Sequence, residues 1–173
     1  MKNEGNIILV GLMGAGKTTV GRLLAKRLKR PFYDSDEQIE RRCGVRIPVI
    51  FDIEGEAGFR ARERAAVALA CSVSEAVVAT GGGTLVDPEN RRRLLASGSL
   101  ICLSATPEEI LRRVRDVASR PLLATANGDR LGRVEALLAE RAAVYGLAAH
   151  QVDTTGLSVD EVVERVRALV AGR

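Results

Sequence analysis

Short unbroken apolar runs alternate along this chain with stretches in which apolar residues recur every three or four positions. Ile7-Ile8-Leu9-Val10, Val77-Val78-Ala79 and the segment Ser99 to Leu103 are of the first kind, the pattern of strands buried on both faces. Phe32-Tyr33 opens a shorter strand that ends in Asp34-Ser35-Asp36, and Val152-Asp153-Thr154-Thr155 reads as a last one with its turn. Between the strands, Val20, Leu23, Leu24 and Leu28 predict a helix over about 16–29. Leu131, Val134, Leu137, Leu138 and Val144 predict another over about 129–149. His150 would cap the end of that helix. Further helices are expected from Glu37 to the stop signal Gly44, from Phe59 to about 72, from Asp87-Pro88 to about 96, from Thr106-Pro107, and after Ser158, whose Glu161 completes a capping box. The stretch Val45 to Gly58 holds Pro48, Gly55 and Gly58 and is expected to be a mobile, partly helical insertion. Strand-helix alternation throughout implies an α/β fold, a parallel sheet of five strands with helices on both faces.

Composition narrows the class without changing that picture. A chain of 173 residues suits one compact domain, 1–173. Tryptophan is absent and aromatics are 3%, which argues against base-stacking platforms for single-stranded nucleic acid. The net charge of +4 fits an anionic partner. Most basic residues are arginines interspersed with acids on helices, however, the pattern of a solvated, ion-paired face. No nucleic-acid partner is expected. Cys43, Cys71 and Cys102 are odd in number and lack C-x-x-C spacing, so free thiols are expected, with neither disulfide nor zinc site. Residues 1–5 run directly into the first strand, and no apolar run approaches ~20 residues. The expectation is a cytoplasmic protein with no membrane association.

The chemistry begins at Gly11-Leu12-Met13-Gly14-Ala15-Gly16-Lys17-Thr18, which matches G-x-x-x-x-G-K-[ST] between a strand and a helix, as a phosphate-binding P-loop requires. Gly14 and Gly16 are free to adopt positive φ, so successive N–H groups can curl around phosphate oxygens. Lys17 would reach the β- and γ-phosphates and the Thr18 hydroxyl would ligate Mg²⁺. No acidic residue ends the Val77–Ala79 strand where many nucleotide hydrolases hold their metal. Asp34 and Asp36 are therefore expected to divide two tasks, one on magnesium or its waters and one on the phosphoryl acceptor. Capping the next helix is the competing role for Asp34. Arg60 and Glu63 share a helix face. Either the Glu orients the guanidinium toward a carboxylate, or the two form an exposed ion pair. Phe51 and Phe59 serve either the core or the wall of a small-molecule pocket. Gly81-Gly82-Gly83 directly after a strand permits close backbone approach to a ligand. The segment 116–128, with Arg120-Pro121-Leu122-Leu123, has the composition of a lid, or of a plain surface loop.

In this order and spacing the P-loop, Asp34-Ser35-Asp36, Phe59-Arg60 with Glu63, the triple glycine, Arg120-Pro121-Leu122-Leu123, and Arg141 with Tyr145 resemble the shikimate kinase family over nearly the whole chain. The resemblance implies a three-layer P-loop fold of the nucleoside-monophosphate-kinase type. It implies transfer of the ATP γ-phosphate to the 3-hydroxyl of shikimate, one Mg²⁺ per subunit, and a monomer. It assigns catalysis to Asp36, Lys17 and Arg120, and ATP to Gly14, Ala15, Gly16, Lys17, Thr18, Thr19, Arg120 and Arg113. Shikimate falls to Asp36, Arg60, Glu63, Gly81, Gly82, Gly83 and Arg141 within and beyond an insertion at about 35–62, and the metal to Thr18 and Asp34. Around Arg141 the chain departs from the family pattern, with Ala143 where a proline is common and Gly146-Leu147 after the tyrosine.

Overall fold

The computed structural model describes residues 5–114, 121–123 and 128–171. Its strands are β1 (Asn6–Val10), β2 (Phe32–Asp34), β3 (Val77–Ala79), β4 (Gly98–Ser104) and β5 (His150–Asp153), all parallel, in the spatial order β2-β3-β1-β4-β5. Helices α1 (Lys17–Leu28), α2 (Ser35–Cys43), α3 (Ile47–Ser72), α4 (Pro88–Ser97), α5 (Pro107–Arg113), α6 (Arg130–Tyr145) and α7 (Val159–Ala171) cover the two faces. The two-residue period of the strands divides the core. Ile8, Val10, Val78, Leu100 and Cys102 pack with Val67, Leu94, Val134 and Leu137 of α3, α4 and α6. Ile7, Leu9, Val77, Ile101 and Leu103 pack with Val20 and Leu24 of α1 and Val162, Val163 and Val166 of α7. A smaller cluster of Ile39, Ile50, Phe59 and Ala66 joins α2 to α3.

Register explains why the chemistry collects at one edge. Asp34 lies opposite Ala79, and Ala79 opposite Leu9. The chain therefore leaves β1, β2 and β3 side by side at their carboxyl ends, the ligand edge of open parallel sheets.

Several element boundaries differ from the sequence expectation. Helix α2 begins at Ser35 because Asp34 itself is the cap, its Oδ1 accepting from the N–H groups of Asp36 and Glu37 at 3.0 and 3.1 Å. The expected loose insertion is helical from Ile47 onward: Pro48 sits in the first turn, where its missing N–H costs nothing, and Gly55 makes a kink at φ 69° and ψ −176°. Helix α6 stops at Tyr145, four residues before its predicted end. His150 is the first residue of β5, opposite Ile101, and does not cap a helix. Segments 84–86 and 121–123 each form a 3₁₀ turn.

One buried polar side chain ties the sheet's amino edge to the end of α3. Asn6, 1% exposed, donates from Nδ2 to Val73 O at 2.8 Å and accepts from Ala76 N at 2.9 Å. Asn6→Ala strips partners from buried backbone groups, so a loss of about 2–3 kcal/mol is expected. Urea unfolding with an unchanged m-value and a lower midpoint is the check.

Candidate active site

Gly14 and Gly16 adopt φ of 77° and 98°, the left-handed geometry predicted for a phosphate nest. Gly16 directly precedes α1, so the first N–H groups of that helix face the same space. Lys17 is buried, and its Nζ donates to Gly11 O and Leu12 O at 2.7 and 2.8 Å. The ammonium is thus held against the backbone of the P-loop. Thr18 and Thr19 are exposed at the start of α1. A cleft of ≈ 800 Å³ opens over this loop, lined at the far end by Arg112, Arg113, Gly156 and Leu157.

Arg113 braces the floor of that end. It donates to Thr154 Oγ1 and Thr154 O at 2.8 Å each, to Gly14 O at 3.3 Å, and to Glu109 at 2.8 Å. Thr154, which sequence reasoning did not single out, joins the P-loop to β5, since its hydroxyl lies 3.3 Å from Ala15 O and 2.9 Å from Ser104 O.

Of the two roles weighed for Asp34 from sequence, the structure shows the cap, and the second carboxylate oxygen reaches the P-loop threonine. While Oδ1 caps α2, Oδ2 accepts from Thr18 Oγ1 at 2.7 Å. Hydroxyl and carboxylate are hard oxygen donors, and among the described residues no cluster of three or more His, Cys, Asp or Glu side chains forms a cage. That donor set fits Mg²⁺, which is held by one or two protein oxygens together with nucleotide phosphates and water.

Asp36 lines the large cleft and also a second, smaller pocket of ≈ 60 Å³ that shares Met13, Ile47 and Gly82 with it. The smaller pocket is walled by Phe51, Phe59, Arg60, Glu63, Gly81 to Gly83 and Leu122. Phe51 and Phe59 meet at 4.7 Å between ring centroids, with Phe59 buried in the core, so this pair is core and wall at once. The Arg60–Glu63 pair is no exposed helix bridge: Glu63 is 1% exposed, accepts from Arg60 Nη1 at 2.9 Å and from Thr84 Oγ1 at 2.8 Å. A buried carboxylate with two donors fixes the guanidinium far better than a solvated one.

The glycine run serves close approach, as expected, and none of its members has positive φ. A Cβ on Gly83 would stand 2.9 Å from Arg60 Nη2, and one on Gly82 would stand 3.3 Å from Arg141 Nη1. The two arginines, 81 positions apart in sequence, therefore meet at consecutive glycines. Arg141 is buried, and its Nη1 has no hydrogen-bond acceptor among the described residues. Three side chains pin the run from outside: Gly81 N donates to Ser35 Oγ at 3.1 Å, Thr84 is bound to Glu63, and Tyr145 donates to Gly82 O at 2.6 Å. Ser35 and Thr84 are ordinary turn residues by sequence, and only the fold reveals their partners. Leu122 and Leu123 of the expected lid are described, with Leu123 in the core; Arg120 lies outside the described residues.

Comparison with known proteins agrees with this geometry. The family model for shikimate kinase (SKI) matches residues 13–171. A shikimate kinase of Thiobacillus denitrificans is 51% identical over 160 residues, which is 92% of this chain and 86% of the relative. One from Pelotomaculum thermopropionicum is 46% identical, covering 93% and 92%. Among solved structures, shikimate kinase from Acinetobacter baumannii in complex with shikimate superposes with a TM-score of 0.93 at 38% identity over 99% of this chain and 95% of that one. A gluconokinase from Sinorhizobium meliloti, at 18% identity and a TM-score of 0.54, shares only the fold. With site and sheet arranged as described, these matches show that the chain belongs to the shikimate kinase family.

Proposed function

We infer that the chain transfers the γ-phosphate of ATP to the 3-hydroxyl of shikimate, releasing ADP and shikimate 3-phosphate, on the path to chorismate and the aromatic amino acids. The observation that carries this reading is the position of Asp36 on the border between a P-loop cleft and a pocket lined by Arg60 and three glycines, with Arg141 beside Gly82. A carboxylate at that border can accept the proton of a hydroxyl that attacks a phosphate bound to the P-loop. Shikimate's carboxylate matches the Arg60 and Arg141 guanidiniums, and it supplies the acceptor that Arg141 Nη1 lacks among the described residues. A relative at 38% identity holds shikimate itself.

In this reading the N–H groups of Gly14, Ala15 and Gly16, with Lys17 and Thr19, hold the ATP phosphates, and Arg113 supports the nucleoside end. Thr18 and Asp34 would hold Mg²⁺ with its water; when bound, the ion neutralises phosphate charge and helps align the transferred group. Glu63 and Gly81 to Gly83 fix the acceptor. The lid at about 116–128 excludes water, and Arg120 within it stabilises the moving phosphoryl charge. The insertion at about 35–62 supplies the acceptor wall. ATP and shikimate are the partners, in a cytoplasmic monomer. Against a nucleic-acid partner, the helix arginines are engaged by acids: Arg27 by Asp160 and Glu164, Arg92 and Arg93 by Glu89, and Arg112 by Glu109. Among the described residues no helix is long and apolar enough to cross a membrane.

An ADP-release assay against shikimate, gluconate and nucleoside monophosphates tests the reading. Turnover with shikimate at least about 10³-fold above the other acceptors is expected, because a site built to pair a carboxylate and hydroxyls rejects ligands that leave those groups unpaired. Good turnover with gluconate or a nucleoside monophosphate and none with shikimate would overturn it.

A further inference from the structure

Tyr145 ends α6 one turn after Arg141, so the two side chains leave the helix on the same face. Its ring lies in the larger core cluster, and its hydroxyl emerges from that core to donate to Gly82 O at 2.6 Å. Burial pushes the phenol up to about 12, so it remains a protonated donor across the working range of any such enzyme. Gly82 is also the residue beside which Arg141 lies and the one that touches the P-loop, where a Cβ would come within 3.2 Å of Met13 N. One peptide therefore meets the nucleotide loop, a guanidinium aimed at the acceptor, and a hydroxyl delivered by the same helix as that guanidinium.

We propose that Tyr145 is a positioning residue for the acceptor, its hydroxyl locking the Gly82 peptide to the helix that carries Arg141. The inference rests on the shikimate reading given above. Without this bond, Arg141 and the glycine turn belong to separate elements, α6 and the segment after β3, with no other hydrogen bond between them among the described residues. With it, the two halves of the acceptor site keep one relative position before the acceptor arrives. Ordering already achieved in the free protein is not charged against binding, so the effect belongs in acceptor affinity. The rival account is a core tyrosine whose hydroxyl has simply found a partner, as buried tyrosines do.

Tyr145→Phe keeps the ring and removes the donor. The expected result is a shikimate KM raised about 3–10-fold, the effect of one hydrogen bond, with kcat and the KM for ATP within about twofold of wild type. A cycle with Arg141→Gln separates positioning from general loosening. In the Arg141→Gln background Tyr145→Phe should change the shikimate KM by less than about twofold. p-Aminophenylalanine at position 145, which restores an N–H donor at the same place, should return KM to the wild-type value and covers the case in which Tyr145→Phe folds poorly. Unchanged KM in Tyr145→Phe, an equal increase in both backgrounds, a parallel rise in the ATP KM, or no rescue by the amino analogue would each overturn the positioning role. A wild-type protein that fails to turn over shikimate overturns the functional reading instead, so the two failures are distinct.

Discussion

Asp36→Asn is expected to lower kcat by about 10²–10⁴-fold while the KM for ATP stays within a few-fold of wild type. Asparagine preserves the shape and one acceptor oxygen of the side chain and removes its ability to take a proton. The change is chemically narrow because Asp36 sits in the first turn of α2, with its own N–H bound to Asp34 Oδ1. The helix start favours the ionised carboxylate there, and the variant gives up that modest attraction, of ~0.3–1 kcal/mol. Stability should therefore move little, and a folded, inactive protein is the expected outcome. Phosphoryl transfer proceeds through a loose transition state in which positioning and charge carry most of the catalysis. The lower part of the range would then mean that Asp36 chiefly orients the hydroxyl, and the upper part that it also removes the proton. Single-turnover rates with saturating shikimate and ATP measure the chemical step directly. A rate near wild type would remove Asp36 from the mechanism and return the border position to simple pocket lining.

The P-loop was legible because its chemistry lies in the local backbone: glycine spacing sets φ, and the strand and helix flanks can be read from periodicity. β1, β3 and β4 were legible for the same reason, each built on a short apolar run, whereas β5 starts at His150, two residues before the start expected at Val152. Asp34 shows where that legibility ends. Capping and metal support looked like competing roles in sequence, yet a carboxylate has two oxygens: Oδ1 caps α2 and Oδ2 meets Thr18 Oγ1, so the cap leaves the second oxygen for the P-loop side. Pro48 looks like a breaker yet sits in the first turn of α3, whereas Gly55 does break the helical geometry, and packing of Ile50, Phe59 and Ala66 with Ile39 holds the helical segments on either side of it against α2. The end of α6 was misplaced because Ala148 and Ala149 suit a helix, while hydrogen bonding to Leu100 O draws Ala149 to the edge of the sheet. Ser35, Thr84, Thr154 and Tyr145 act on residues 21 to 139 positions away, as in Gly81 N to Ser35 Oγ or Thr154 Oγ1 to Ala15 O. No local pattern encodes such contacts.

The close packing around Gly81 separates activity from stability most sharply. Gly81→Ala is expected to lower kcat/KM for shikimate by about 10²-fold while the melting temperature shifts by no more than a few degrees. Gly81 does not use the left-handed region that Gly16 occupies, so alanine incurs no backbone penalty of that kind and even restricts the unfolded chain. The methyl group, however, would stand 2.8 Å from Asp36 Oδ1 and 3.1 Å from both Glu63 Oε1 and Thr84 Oγ1. Three polar atoms at the edge of the acceptor pocket have to give way by several tenths of an ångström, and these are side-chain ends that can move. The fold is thus spared and the site is displaced. Misplacement of a reacting group on the ångström scale costs about 10²-fold in rate, and loosening Glu63 also frees Arg60. Steady-state kinetics beside a thermal melt would decide the matter. Wild-type kinetics in a stable Gly81→Ala protein would mean that the Asp36 carboxylate tolerates a shift, and that the contact of glycine with carboxylate has no part in catalysis.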